Sequence, residues 1–164
     1  MLRTLLTAAL LALPGMAAAQ PAQAPACTAP EHRQFDFWVG RWLVSPTGKA
    51  AVVAESLIEK VYNGCGIREN WMPKNGQDGG SLNIYLPAEK AWRQTWIDSS
   101  GTRADFTGGW TGRAMVITGK WAGPLVRMTY TPGPDGSVRQ SGEQSLDDGK
   151  TWKATFDFTY RKAG

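Results

Sequence analysis

Glu69, Asp98, Arg127, Gln140 and Glu143 have side chains suited to proton transfer or anion binding, and all five lie on stretches that read as extended chain. Two carboxyl groups facing one cavity can share a proton, so Glu69 and Asp98 are the candidate general acid and base, with Arg127 as an anion partner. The same residues could instead satisfy one another in an ion-pair network with Arg127 or Arg139. A second set suits binding. Trp71, Tyr85, Gln94, Trp96, Arg127 and Gln140 combine aromatic faces with hydrogen-bonding ends, the usual composition of a small-molecule pocket. The chain holds eight tryptophans, many for this length. Trp71, Trp92, Trp96 and Trp110 are expected to line a cavity, with core packing as the competing role for each.

The remaining chemistry is thin. His32 is the only histidine, and it reads as a surface or helix-start residue ahead of the first strand. A zinc site draws on several His or Cys ligands, so no metal and no cofactor are expected. A Ser-His-Asp triad would have to use His32, which nothing brings near a cavity. The two cysteines, Cys27 and Cys65, lack the CxxC spacing of thiol redox catalysts.

Strands must position these groups. From Gly40 onward, short runs rich in Val, Ile, Thr, Tyr and Trp alternate with turn sequences such as Asn63-Gly64, Lys74-Asn75-Gly76, Pro134-Asp135-Gly136 and Asp147-Asp148-Gly149. This pattern predicts strands over 40–46, 50–61, 65–72, 80–87, 91–98, 102–110, 113–121, 124–131, 137–145 and 151–161, all with short connections. About ten consecutive antiparallel strands tend to close, because closure removes exposed edges. The fold class is therefore all-β, a single antiparallel up-and-down barrel over 35–164. Period-two alternation groups Cys65, Ile67, Glu69 and Trp71 on one face, and Trp92, Gln94, Trp96 and Asp98 on another. It leaves open which face of 65–72 and 91–98 points inward. In the last strand Trp152, Ala154, Phe156, Phe158 and Tyr160 share a face.

The N-terminus reads as a targeting segment. Arg3 precedes an apolar run through Leu13, Pro14-Gly15 breaks it, and Ala17-Ala18-Ala19 offers a cleavage site, the anatomy of a secretory signal peptide over 1–19. The run is shorter than the ~20 apolar residues of a membrane span. Residues 20–34, rich in Ala, Pro and Gln at their start, read as a flexible arm. About 145 residues remain, enough for one domain with one core. Export to an oxidising compartment makes Cys27 and Cys65 a disulfide pair, stabilising by about 3–4 kcal/mol. Lipidation of Cys27, the alternative, lacks the usual large apolar residue in Ala24-Pro25-Ala26. Without Arg3 the chain has 17 basic and 14 acidic residues, net +3. The basic residues form no run, which argues against a nucleic-acid surface.

Five segments in order carry a resemblance. They are Phe35-Asp36-Phe37-Trp38-Val39-Gly40-Arg41-Trp42, Cys65-Gly66-Ile67-Arg68-Glu69-Asn70-Trp71, Gly80-Ser81-Leu82-Asn83-Ile84-Tyr85, Trp92-Arg93-Gln94-Thr95-Trp96-Ile97-Asp98 and Ser145-Leu146-Asp147-Asp148-Gly149-Lys150-Thr151-Trp152. With them the chain resembles a bacterial exported family of lipocalin-like barrels of unknown function, over about residues 31–161. The resemblance implies a lipocalin or calycin-like barrel. It also implies that Trp42 of Gly40-Arg41-Trp42 plugs the barrel floor with Arg161 lying across it. Related haem-binding barrels use a histidine from a late strand, which this chain lacks. Ser145 to Trp152 also resembles the Asp-box hairpin of sialidase propellers. One copy in a chain this short implies a structural turn, with Asp147 bonding turn amides, Gly149 at positive φ and Trp152 packed beneath.

The function expected is a periplasmic or secreted binding protein for a small, partly apolar molecule. The alternative is a small lyase, hydratase or isomerase using lumenal carboxylates. An envelope protein that contacts other proteins is a third possibility. Oligomeric state is not legible.

Overall fold

The computed structural model describes residues 27–164, so the signal-peptide reading over 1–19 lies outside the described residues. Ten antiparallel strands close into a barrel: β1 (Gly40–Pro46), β2 (Ala54–Val61), β3 (Gly66–Pro73), β4 (Gly79–Leu86), β5 (Ala91–Asp98), β6 (Arg103–Trp110), β7 (Met115–Lys120), β8 (Leu125–Pro132), β9 (Val138–Ser145) and β10 (Lys153–Lys162). Each strand pairs with its sequence neighbours, and β1 pairs with β10 to complete the ring. The all-β, up-and-down reading therefore holds. The second strand is shorter at its start than expected: residues 50–53 are non-strand, although the Val53 amide still donates to Val44 O.

Closure dictates which side chains point inward. Trp42 and Val44 of β1, Ile67 and Glu69 of β3, Trp92 and Gln94 of β5, Met128 and Tyr130 of β8 and Tyr160 of β10 are all buried. β4 inverts the usual sense of alternation. Ser81 and Asn83 are buried, while Leu82 and Ile84 are exposed on the outside at 43% and 37%. The cross-strand register explains this. Ser81 lies opposite Glu69, and Asn83 lies opposite Gln94, so the polar face of β4 completes a polar interior.

The two barrel ends differ. One end is closed by the segment before β1. 3-10 turns at Pro30–Arg33 and Asp36–Trp38 bring Phe35 and Trp38 under the barrel, both buried. Phe35 stacks on Trp38 at 4.9 Å and meets Tyr130 edge-on at 5.0 Å. Trp38 also packs against Tyr130 and Tyr160, and the Trp42 indole donates to Trp38 O at 2.8 Å. Residues 27–34 of the segment read as an arm are anchored to this floor. Cys27 is bonded to Cys65, and His32 is buried, edge-on to Tyr85 at 5.3 Å. Of the two readings of His32, surface or helix-start residue, the surface one is corrected: His32 lies in the short 3-10 turn Pro30–Arg33, which packs against β4.

Two further expectations change. The cation across Trp42 is Lys162 and not Arg161. Trp42 pairs with Lys162 in the β1–β10 register, Lys162 Nζ sits 3.8 Å from the indole centroid, and Arg161 is exposed. Gly40 permits this, since a Cβ there would collide with the Lys162 amine that donates to Val39 O. The single face proposed for the last strand is broken by a bulge between Ala154 and Phe156. Phe156, Phe158 and Tyr160 pack against the core, whereas Ala154 is exposed. A bulge adds one residue and switches the alternation.

No helix among the described residues is long and apolar enough to cross a membrane. The disulfide separates its partners by 38 residues. Cys65→Ser should lower unfolding free energy by about 3–4 kcal/mol in urea titrations, as constraint of the unfolded chain predicts. A loss below about 1 kcal/mol would show that the bond adds little constraint to the unfolded chain.

Candidate functional site

The open end lies opposite the plug. Here the strands end in the turns after Pro46, Pro73, Asp98, Lys120 and Ser145. Trp71, Trp96, Trp121 and Phe156 form a half-buried aromatic collar. Trp96 and Trp121 lie 5.8 Å apart between centroids, and Phe156 stacks on Phe158 at 5.4 Å. Two glycines make room for the collar. A Cβ at Gly79 would overlap the Trp96 ring, and one at Gly142 would overlap Phe156.

Beneath the collar is a cavity of about 140 Å³ lined by Glu69, Trp71, Gln94, Trp96, Trp121, Met128, Tyr130, Gln140 and Phe156. A wider groove of about 610 Å³ adjoins it outside, where Pro46, Val53, Pro73, Lys74 and Phe158 surround the other side of Trp71. A hollow of about 660 Å³ over Leu82, Ile84 and Ile97 lies on the outer wall, open to solvent. The smaller cavity is the one with convergent buried polar groups, which makes it the candidate site despite its size.

Those groups form one hydrogen-bonded chain across the barrel. Tyr160 OH donates to Gln140 Oε1 at 2.5 Å, and Gln140 Nε2 donates to Tyr130 OH at 3.1 Å. Gln94 Nε2 reaches Tyr130 OH at 3.5 Å and donates to Asn83 Oδ1 at 2.8 Å. Asn83 Nδ2 donates to Ser81 Oγ at 3.0 Å, and Ser81 donates to Glu69 Oε2 at 2.9 Å. The chain draws on β3, β4, β5, β8, β9 and β10, so only closure of the ring assembles it.

Glu69 ends this chain, 6% exposed. Among the described residues no Lys, Arg or His pairs with it. Ser56 Oγ points toward the same carboxyl but falls short of bonding geometry, so Ser81 is its one side-chain donor. Loss of solvation by burial pushes the carboxyl up from an ordinary 4.5 to about 7, and the two serine hydroxyls offset part of that rise. Burial, and then the Glu69 charge, raise Tyr130 and Tyr160 far above the ordinary tyrosine range, so both phenols stay protonated.

The sequence-selected residues divide by position along their strands. Glu69, Trp71, Gln94, Trp96 and Gln140 meet in the cavity. Tyr85 and Trp92 point inward too, but at the plugged end, near His32 and Phe35. Trp110 packs against Phe37 at that same end. Asp98 is not lumenal. It caps the β5–β6 turn, accepting from the Ser100 hydroxyl, the Ser100 amide and the Trp96 indole. The Ser100 hydroxyl and Trp96 indole hold its carboxyl below the usual range, which keeps it ionised. Arg127 is also corrected. It alternates with inward Val126 and Met128, so it lies outside, paired with Glu143 at 2.8 Å and stacked on Trp152. Arg139 pairs with Asp157, likewise on the outside.

The 145–152 hairpin is a self-contained turn on the open rim. Asp147 accepts from the Thr151 amide and hydroxyl, Ser145 Oγ accepts from the Gly149 amide, and Gly149 has φ +90°. Thr151 above all holds the Asp147 carboxyl down to about 2. Trp152 donates to Gly149 O.

Sequence reasoning missed Ser81, Asn83, Trp121, Met128, Tyr130 and Phe156. For Ser81 and Asn83 a signal existed, because they occupy the polar face of β4 beside strands carrying Glu69 and Gln94. Trp121 sits just past β7 in a turn, where alternation gives no direction. In comparisons with protein-family models and with curated proteins, the chain matches none.

A raised carboxyl has a definite stability signature. Between pH 4.5 and 7 the folded chain holds the Glu69 proton while the unfolded chain releases it. The Glu69 contribution to stability is therefore full below about pH 4.5 and is lost as pH rises to 7. The Glu69→Gln variant removes this dependence. Relative to wild type it should gain about 2–4 kcal/mol above pH 7 and little at pH 4.5, read from urea melts across pH. Equal differences at both pH values would show that Glu69 ionises normally.

Proposed function

We propose that this barrel is a periplasmic or secreted binding protein for a small, partly apolar molecule held in the lumen beneath the Trp71–Trp96–Trp121–Phe156 collar. The observation that carries this reading is the cavity itself: aromatic walls over a single chain of buried polar groups, open at one end and plugged at the other. Buried polar groups destabilise a core unless satisfied. A lumen floored by Glu69, Gln94 and Gln140 offers a ligand fixed hydrogen-bonding positions, while the collar removes its apolar surface from water.

The volume limits the ligand. An apolar cavity of about 150 Å³ holds a molecule the size of benzene, so about 140 Å³ takes a ring or a short branched group. Trp71 borders both the cavity and the outer groove, giving a longer ligand a path outward. Export follows from the N-terminal sequence, and the Cys27–Cys65 bond suits an oxidising compartment. The order of motifs from Phe35 to Trp152 supports membership of the exported lipocalin-like barrel proteins that the chain resembles. The acid–base alternative loses its pair of carboxylates, because Asp98 is engaged in the rim turn.

Native mass spectra of the protein purified from the bacterial periplasm test the proposal. A reproducible small adduct, released on denaturation, is the expected result. Trp71→Ala and Gln140→Ala should weaken its retention at least tenfold, whereas Arg127→Ala, on the outer wall, leaves it unchanged. An adduct lost equally in all three variants, or no adduct together with no quenching of tryptophan fluorescence by small aromatic and aliphatic probes, would overturn lumenal binding.

A further inference from the structure

Resting on the lumenal-binding reading, we infer that the cavity selects a small organic cation, an alkylammonium or quaternary ammonium head group, seated between the indole faces with its charge against Glu69. The geometry supplies both halves of such a site. Glu69 is a buried carboxyl bonded by one serine and paired with no base among the described residues. Around it stand the rings of Trp71, Trp96, Trp121, Tyr130 and Phe156. Aromatic faces attract cations through their quadrupoles, most strongly where water is excluded, and Trp is the best of the rings. No Lys or Arg lines the cavity, so an anionic ligand would meet only the Glu69 charge. A neutral hydrocarbon would leave that carboxyl unused. A methylated ammonium uses both, and its volume fits about 140 Å³.

The charged and titratable surroundings of Glu69 are simple. Tyr130 on β8 and Tyr160 on β10 face it and stay protonated. Ser56 on β2, Ser81 on β4, Gln94 on β5 and Gln140 on β9 do not titrate. The remaining nearby charges are spoken for: Lys60 pairs with Asp36 beside the plug, Lys162 lies on Trp42, and Asp98 is held in its turn. His32 is at the plugged end against Tyr85. A bound cation therefore favours the ionised form of Glu69, and binding near neutral pH displaces its proton. With the empty-site carboxyl at about 7, affinity for a permanent cation should fall about 100-fold from pH 8 to pH 5.

An isosteric pair tests this: choline, and 3,3-dimethyl-1-butanol, in which carbon replaces the quaternary nitrogen. Binding of both to the full mature protein is measured by titration calorimetry and tryptophan fluorescence at pH 8 and pH 5. The expected result is choline at least tenfold tighter than the alcohol at pH 8 and about 100-fold weaker at pH 5, with the alcohol indifferent to pH. In Glu69→Gln choline should bind at least tenfold more weakly at pH 8 and lose its pH dependence, while alcohol binding persists. Trp121→Leu should weaken choline more than the alcohol, a check independent of the buried carboxyl. The alcohol binding as tightly as choline to wild type at pH 8 overturns the cation assignment and leaves lumenal binding standing. Neither probe binding while the native adduct is retained also overturns it. Neither probe binding and no adduct in native spectra overturns both.

Discussion

Closing ten strands into one ring creates an interior that the inward side chains alone do not fill, and most features of this molecule answer that constraint. An eight-stranded barrel is about wide enough for its own side chains to fill it. Here Phe35 and Trp38 enter from outside the ring and fill one end, stacked on each other and packed against Tyr130. The remainder of the interior stays partly open under the collar. The plug is thus both a packing device and the element that decides which end faces solvent. The Cys27–Cys65 bond ties the start of this segment to the loop between β2 and β3.

The unfilled part is polar where it meets the plug and aromatic where it meets the mouth. A buried amide or hydroxyl is tolerated only with partners, and the chain from Tyr160 to Glu69 supplies them strand by strand. Its last member is the least comfortable. The Glu69 carboxyl gives up most of its hydration for one serine hydroxyl, and burial shifts its ionisation toward neutrality. Such a group is costly in a protein that needs only to fold. In the proposed binding site its position in a lined cavity has a use, because a ligand there would replace the lost water.

The same physical reasoning sorts the charged residues. Arg127, Arg139, Glu143 and Asp157 are half-exposed pairs on the outer wall, where ion pairs contribute little. They resemble an internal network in sequence only because charged residues on the two faces of a strand look alike until the ring closes. Glu69 differs from them by facing inward without a cation.

Much of the fold was legible in the sequence. Turn residues at short intervals and alternating runs placed ten strands within a few residues of their observed limits, because strand length and turn chemistry are local properties. The faces holding Glu69 with Trp71, and Gln94 with Trp96, were also legible as sets, since side chains alternate with period two. Tertiary structure alone decided the rest. The inward turn of the Ser81–Asn83 face depends on cross-strand partners, and the bulge after Ala154 switches the face of β10. The assignment of Lys162 over Trp42 depends on register between chain ends more than a hundred residues apart. Whether an inward residue reaches the plug or the cavity depends on its height in the barrel, which separates Tyr85, Trp92 and Trp110 from Trp71 and Trp96. Sequence period fixes direction relative to neighbours; only closure and register fix position in space.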